Sequence, residues 1–228
     1  MDNIPDPSGL AKGVCVNPAM AVGFYSCVAR FIPPGELFAL WALNPENKKQ
    51  SVSRFVSTVV EFSAFVKEHA HWHVYYCAST RAHEHGLRPS QRGGEEDCAS
   101  LLMLNLDIDW ADPIAHKAEA QTLPRDRAAA YVVLDGLKVK PSVVVETGHG
   151  LQPLFILEEP FSLNDDAARQ YAKETGRRLH ADCLRAAHGA HVDATHNLDR
   201  LLRLPGTVNW KDASQPVLAT WKECGHAL

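Results

Sequence analysis

Strands and helices alternate along this chain, with hairpins among them, and that alternation predicts an α+β fold with mixed sheets. Three stretches carry the prediction. Residues 101–110, LLMLNLDIDW, form a short apolar run of the kind that makes a strand buried on both faces. Residues 142–157 read strand, glycine turn, strand: SVVVE, then TGHG, then LQPLFIL. Residues 164–187 open on Asn164-Asp165-Asp166, which caps a helix, and Gly189 stops it.

The other elements follow in order. Residues 1–18 are rich in Pro, Gly and Asn and read as an arm or loop. Residues 24–43 are apolar around a Pro33-Pro34-Gly35 turn, and 38–43 suit a strand closed by the turn at 44–47. Over 51–70, Val52, Phe55, Val56, Val59, Phe62 and Val66 recur at helical spacing, which predicts one amphipathic helix. Residues 74–77 form a short strand, and a polar loop follows over 81–97. Residues 123–137 read as a helix opening at Pro124, with Pro141 as its breaker. Val192-Asp193 and residues 198–211 close the informative part. The chain thus divides into an arm (1–20), an N-terminal α/β portion (about 21–100), a motif-bearing portion (about 101–215) and a tail (216–228).

Composition excludes several classes. A length of 228 residues suits one large domain or two small packed lobes, and 46% hydrophobic content supplies a core. The net charge of −4 argues against a generally basic nucleic-acid module, so any polymer site must be a local patch. Six cysteines without a C-x-x-C pair suit reduced thiols in a cytoplasmic protein. The acidic, proline-broken start is no signal peptide, and no apolar run approaches a membrane span of ~20 residues.

The acidic strand is where chemistry is expected. Side chains alternate along a strand, so Asp107 and Asp109 share a face, with Ile108 on the other. Two like charges at the end of a buried strand repel, and a divalent cation offsets that repulsion. A lone D-x-D is a weak signal, and a strand ending in the polar turn 109–113 explains it equally well. The TGHG turn at 147–150 lets backbone N–H groups approach a ligand, although a plain hairpin turn does the same. The last motif, RLLRLPGTVNWK over 200–211, carries Arg200, Arg203 and Lys211 around a Pro205-Gly206-Thr207 turn.

In chain order these are a D-h-D strand, a T-G-x-G hairpin, a helix, h-D at Asp193, then R-h-L-R-h-P-G-T-h-N-x-K. Over roughly 74–211 this order resembles the archaeo-eukaryotic primase superfamily. It looks like the primase-polymerase domains of plasmid and phage replication proteins, above all the helicase-primases of phages of actinobacteria. The last motif is the most specific part of the likeness, and the D-h-D the least.

The resemblance implies two packed lobes, the C-terminal one RRM-like, and template-directed nucleotidyl transfer. A 3′-hydroxyl would attack the α-phosphorus of a nucleoside triphosphate on a single-stranded DNA template. Two ions, Mg²⁺ or Mn²⁺, would be held by Asp107, Asp109 and Asp193. Thr147, Gly148, His149 and Gln152 would hold the triphosphate, with Arg203 and Lys211 neutralising it. Arg200 ranks lower, as a cation that Asp199 or another neighbour could pair. The family's second motif ends in a histidine that contacts the phosphates; by strand position that site is Gln152, while His149 lies nearer the turn. Either can fill the role. Arg81, Arg88 and Arg92 are candidates for tracking the template backbone. The resemblance further implies a primer strand as partner, a helicase following this catalytic core, no membrane, and the bacterial cytoplasm of a phage host.

Two other chemistries fit parts of the chain. His71-Trp72-His73 with Tyr75 or Tyr76 is compatible with a rolling-circle endonuclease, whose histidines bind a metal and whose tyrosine attacks DNA. Zinc could be held by Cys77, His83, His85 and Cys98, or by His180, Cys183, His188 and His191, although neither set has tight paired spacing. A non-catalytic initiator that binds single-stranded DNA is disfavoured by three acids facing phosphate.

Overall fold

The computed structural model describes residues 14–84, 86–112 and 121–225. Seventeen residues in, Asn17 caps helix α1 (Pro18–Ala29), its side chain accepting from Met20 N–H at 3.0 Å, with Pro18 at the first helical position. Strand β1 (Glu36–Leu43) pairs antiparallel with β2 (Ser51–Val56), and helix α2 (Val59–Glu68) follows. The single helix expected over 51–70 is therefore a strand and a helix. Thr58 and Glu61 form a reciprocal capping box that starts the helix, and the apolar residues before it pack as a strand against β1.

Strand β3 (His73–Cys77) and β4 (Ser79–Ala82) come next, so the polar loop begins later than expected. Then follow β5 (Cys98–Asn105), β6 (Ile108–Asp109), α3 (Arg127–Asp135), β7 (Val143–Glu146), β8 (Gly150–Ser162) and α4 (Asp166–Ala186). The last strands are β9 (Leu201–Arg203), β10 (Val208–Asn209), β11 (Val217–Leu218) and β12 (Thr220–Glu223). Residues of the expected tail thus form β11 and β12, and β12 pairs with β7.

Ten strands make one sheet in the order β12-β7-β8-β5-β4-β1-β3-β9, with β2 on β1 and β6 on β8. Every pairing among them is antiparallel. The α+β class is as expected. Alternation along the strands sorts the core into two layers. Val143 and Val145 of β7 join α1 and α2 in one apolar cluster, with Phe24, Tyr25, Phe38, Phe62 and Tyr76. Val144, between them, joins the other, where Leu106, Ile108 and Phe155 meet α3 and α4. The sheet is thereby covered on both faces, and the polar residues between β3, β6, β8 and β9 are left to line a cavity. Among the described residues, no helix is long and apolar enough to cross a membrane.

Candidate functional site

The acidic strand is interrupted where the chemistry is expected. β5 ends at Asn105 and β6 begins at Ile108, so Leu106 and Asp107 lie in the break. Asp107 makes an isolated antiparallel bridge to Asp193, and the Thr195 hydroxyl donates to Asn105 C=O at 2.8 Å. This bridge brings the h-D motif beside the D-h-D motif, 86 positions apart in sequence. Asp109 pairs with Gly150 of β8. A Cβ on Gly150 would stand 2.2 Å from Asp109 Oδ1, so a larger residue here would push the Asp109 carboxylate out of its place.

The hairpin turn is held from two sides. Thr147 N–H donates to Gly150 C=O at 2.9 Å, and Gly148 has φ 94°, a conformation that favours glycine. Asn209 Nδ2 donates to Thr147 C=O at 2.8 Å, which ties the turn to the last motif. His149 is 6% exposed, and its Nδ1 lies 2.9 Å from Asp112 Oδ2. Its Nε2 is buried and has no partner among the described residues. Gln152 is engaged at both ends: its Oε1 accepts from Arg203 N–H at 3.0 Å, and its amide hydrogen-bonds the Asp107 carboxylate.

Cations complete the wall. Arg200 Nη2 pairs with Asp107 Oδ2 at 3.0 Å, rather than with Asp199. Burial pushes the Asp107 carboxyl above its ordinary range; Arg200 opposes the shift, and the neighbouring Asp193 adds to it. Arg203 is 6% exposed and sits opposite Tyr75 in the β3–β9 ladder. Its guanidinium stacks over the Tyr75 ring at 4.3 Å and donates to the Tyr75 hydroxyl at 2.9 Å. Its other Nη lies 3.2 Å from His73 Nδ1. Burial, then the Arg203 and Lys48 charges, drive the His73 pKa down to about 4, so this ring stays neutral and accepts.

A cavity of about 620 Å³ gathers Asp107, Asp109, Thr147, His149, Gln152, Arg200, Arg203 and Lys211 on its walls. Lys48, His73, Tyr75, Asn209 and Trp210 line it as well. Two expected members lie off the lining. Gly148 is turned against Val217, and the half-exposed Asp193 carboxylate accepts from His191 at 3.1 Å. Among the described residues, no three His, Cys, Asp or Glu side chains are placed so as to hold a metal ion as they stand. Asp107 is drawn to Arg200 and Asp193 to His191, so a metal would have to displace both partners.

The three template arginines separate. Arg81 is 1% exposed and lies inside the core on Cys98 Sγ, Cys77 Sγ and the carbonyls of Thr80 and Arg92. A guanidinium enclosed in this way does not reach a template, which corrects that expectation. Arg92 pairs with Asp199 at 3.0 Å, and Arg88 is exposed. Neither zinc set is gathered into one group among the described residues. Arg81 stands between Cys77 and Cys98, His83 is exposed, and His85 lies outside the described residues. In the second set Cys183 is fully buried in the core, while His180 bonds Val192 C=O. The rolling-circle residues are drawn into other contacts, and Tyr75 accepts from Arg203. His71 precedes β3, His73 is committed to Arg203, and Tyr76 is fully buried among Phe24 and Phe38. Sequence reasoning missed Asp112 and Lys48, and it did not link His73 and Tyr75 to Arg203. A D-x-D-x-x-D pattern was the available signal for Asp112.

No protein-family model and no curated protein matches the chain. Solved structures do. The archaeo-eukaryotic primase domain of the cyanophage S-2L primase-polymerase aligns with a TM-score of 0.56 at 15% identity, over 93% of this chain and 94% of that one. The primase RepB′ aligns with a TM-score of 0.50 at 15% identity, over 92% of this chain and 58% of that one. This chain therefore has the archaeo-eukaryotic primase fold.

Proposed function

We propose that this chain is a DNA primase-polymerase, a nucleotidyltransferase that adds nucleoside triphosphates to a 3′-hydroxyl on a single-stranded DNA template. One observation carries the reading: a single cavity is lined by Asp107 and Asp109 together with His149, Arg203 and Lys211, acids and cations side by side. A purely DNA-binding surface would not place two carboxylates where phosphate must come.

The donor chemistry fits Mg²⁺ or Mn²⁺, which take hard oxygen ligands. Asp107, Asp109 and Asp193 would hold the ions. Burial and Asp193 both disfavour the Asp107 charge, a strain that a cation relieves and that Arg200 relieves in part. Bound there, divalent ions supply charge stabilisation to the attacking and leaving oxygens. The protein's own groups do the rest. Arg203, kept charged and fixed by Tyr75 and His73, meets the triphosphate, as does Lys211. The Thr147–Gly150 turn brings backbone close to the nucleotide without an intervening side chain. Template and primer would enter along the open side, with exposed Arg88 as a backbone contact. The helicase partner and a phage host's cytoplasm belong to the same proposal.

Metal-dependent primer extension and unprimed synthesis on single-stranded templates test it. Asp107→Ala, Asp109→Ala and Asp193→Ala are each expected to lose at least about 100-fold in rate. Synthesis that persists in Asp109→Ala overturns the metal assignment.

A further inference from the structure

The hairpin offers two side chains for the phosphates, His149 and Gln152, and they are held very differently. Gln152 spans the site as a strut: its carbonyl oxygen accepts from the β9 backbone at Arg203, and its amide is on Asp107. His149 is anchored at one end alone. Asp112 is a carboxylate and can only accept, so the 2.9 Å contact puts a proton on His149 Nδ1 and fixes the tautomer. The opposite ring atom, Nε2, is buried, without a partner among the described residues, and belongs to a side chain lining the cavity. A buried polar atom left unpaired costs about 1–3 kcal/mol, so such an atom marks a place a ligand completes.

We propose that Asp112 is a positioning residue that holds His149 with Nε2 directed at the triphosphate, and that Gln152 joins Asp107 to the β9 strand without touching the nucleotide. This rests on the nucleotidyltransferase reading. In the complex His149 donates from Nε2 to a phosphate oxygen as the imidazolium, having taken one proton from solvent. The Asp112 carboxylate balances the new charge from behind the ring. Asp112 sits just past β6, at the end of the turn that follows Asp109, and Trp110 N–H donates to His149 C=O at 3.2 Å. The segment that carries the metal acid therefore also aims the phosphate contact.

The experiment pairs nucleotide kinetics with a probe that needs no catalysis, binding of inorganic tripolyphosphate followed by calorimetry without metal. Asp112→Ala is expected to raise the nucleotide KM and the tripolyphosphate Kd about 10-fold, with a smaller change in kcat. Asp112→Asn keeps the shape and an acceptor and should lose less, which guards against misfolding as the cause. In ring-nitrogen NMR, His149 should be the Nδ1–H tautomer in the wild type and shift toward Nε2–H in Asp112→Ala. The double variant Asp112→Ala/His149→Gln should be no worse than His149→Gln alone, because both remove one contact. Gln152→Ala should lower kcat and leave tripolyphosphate binding unchanged. Losses that multiply in the double variant, or tripolyphosphate binding that survives His149→Gln but not Gln152→Ala, overturn the assignment. A wild type that binds tripolyphosphate through His149 yet extends no primer would sink the polymerase reading and leave the dyad standing.

Discussion

Arg81 and Arg203 are both buried guanidiniums, on neighbouring parts of one sheet, and the chain encloses them in opposite ways. Arg81 directs its N–H groups at two sulfurs, Cys98 at 3.2 Å and Cys77 at 3.7 Å, and at backbone carbonyls. A hydrogen bond with Cys98 and then the Arg81 charge lower the Cys77 thiol against burial, so Arg81 has an ionisable group beside it. Arg203 is held by side chains that carry no charge, the Tyr75 hydroxyl and ring and a neutral His73. Arg81 has ionisable sulfurs beside it, whereas Arg203, with neutral hydrogen-bond partners and the Asp107 charge acting on it, would on the proposed reading keep its charge for the nucleotide. Burial does not separate a structural arginine from a binding one; the charge of its partners does.

That contrast breaks if the two arginines respond alike to substitution. Arg81→Met should cost about 3–5 kcal/mol of stability, read from the denaturant midpoint, because sulfurs and carbonyls arranged around a cation lose it. The nucleotide KM of the folded fraction should not move. Arg203→Ala should do the reverse. Its kcat/KM for nucleotide is expected to fall about 100- to 1,000-fold, while the melting temperature changes little, since a water-accessible cavity replaces the side chain. A large stability loss in Arg203→Ala, or a KM effect in Arg81→Met, would erase the distinction.

The same contrast shows what the sequence could convey. Local signals were readable: the buried strand before Asp107, the hairpin around Gly148, and the long helix capped by Asp165. Val52, Phe55 and Val56 were misleading, because their spacing fits a helix while pairing with β1 decides the outcome. The Thr58-to-Glu61 capping box was the signal that should have overruled it. Helix α1 had its own signal in Asn17-Pro18, hidden within a uniformly apolar stretch. In the site, acids and cations were legible because they sit in ordered motifs. The partners of Arg203 were not, since His73 and Tyr75 precede it by 130 and 128 positions and meet it only through the β3–β9 pairing. Nothing in a string of charges said that Arg81 would turn inward.

His73 offers a finer probe of the Arg203 pocket. Its folded pKa of about 4 lies below the 6.5 of the free side chain. Between those values the unfolded chain takes up a proton that the folded chain refuses, so stability present above pH 6.5 is lost as pH falls toward 4. The ring is only partly buried, so solvent screening trims the effect to about 1 kcal/mol. His73→Gln keeps a neutral acceptor for Arg203 and should flatten this acid limb while leaving stability at pH 8 close to wild type. An unchanged acid limb in His73→Gln would mean that His73 is not held neutral by the pocket.

The smallest expected effect isolates one hydrogen bond. Tyr75→Phe retains the ring under the Arg203 guanidinium and removes only the hydroxyl that accepts from it at 2.9 Å. The stacking survives, and so does the contact to His73, so Arg203 stays in the cavity with one restraint fewer. The lost bond is worth about 0.5–1 kcal/mol, which predicts a two- to fivefold rise in nucleotide KM and no change in template affinity. Tyr75→Leu removes ring and hydroxyl together and should go further, because an unstacked guanidinium can swing toward Asp107, where Arg200 already sits. If Tyr75→Phe matches Tyr75→Leu, the hydroxyl alone positions Arg203. If Tyr75→Phe is silent and Tyr75→Leu is not, the ring does, and the neutral enclosure of this arginine is a matter of stacking.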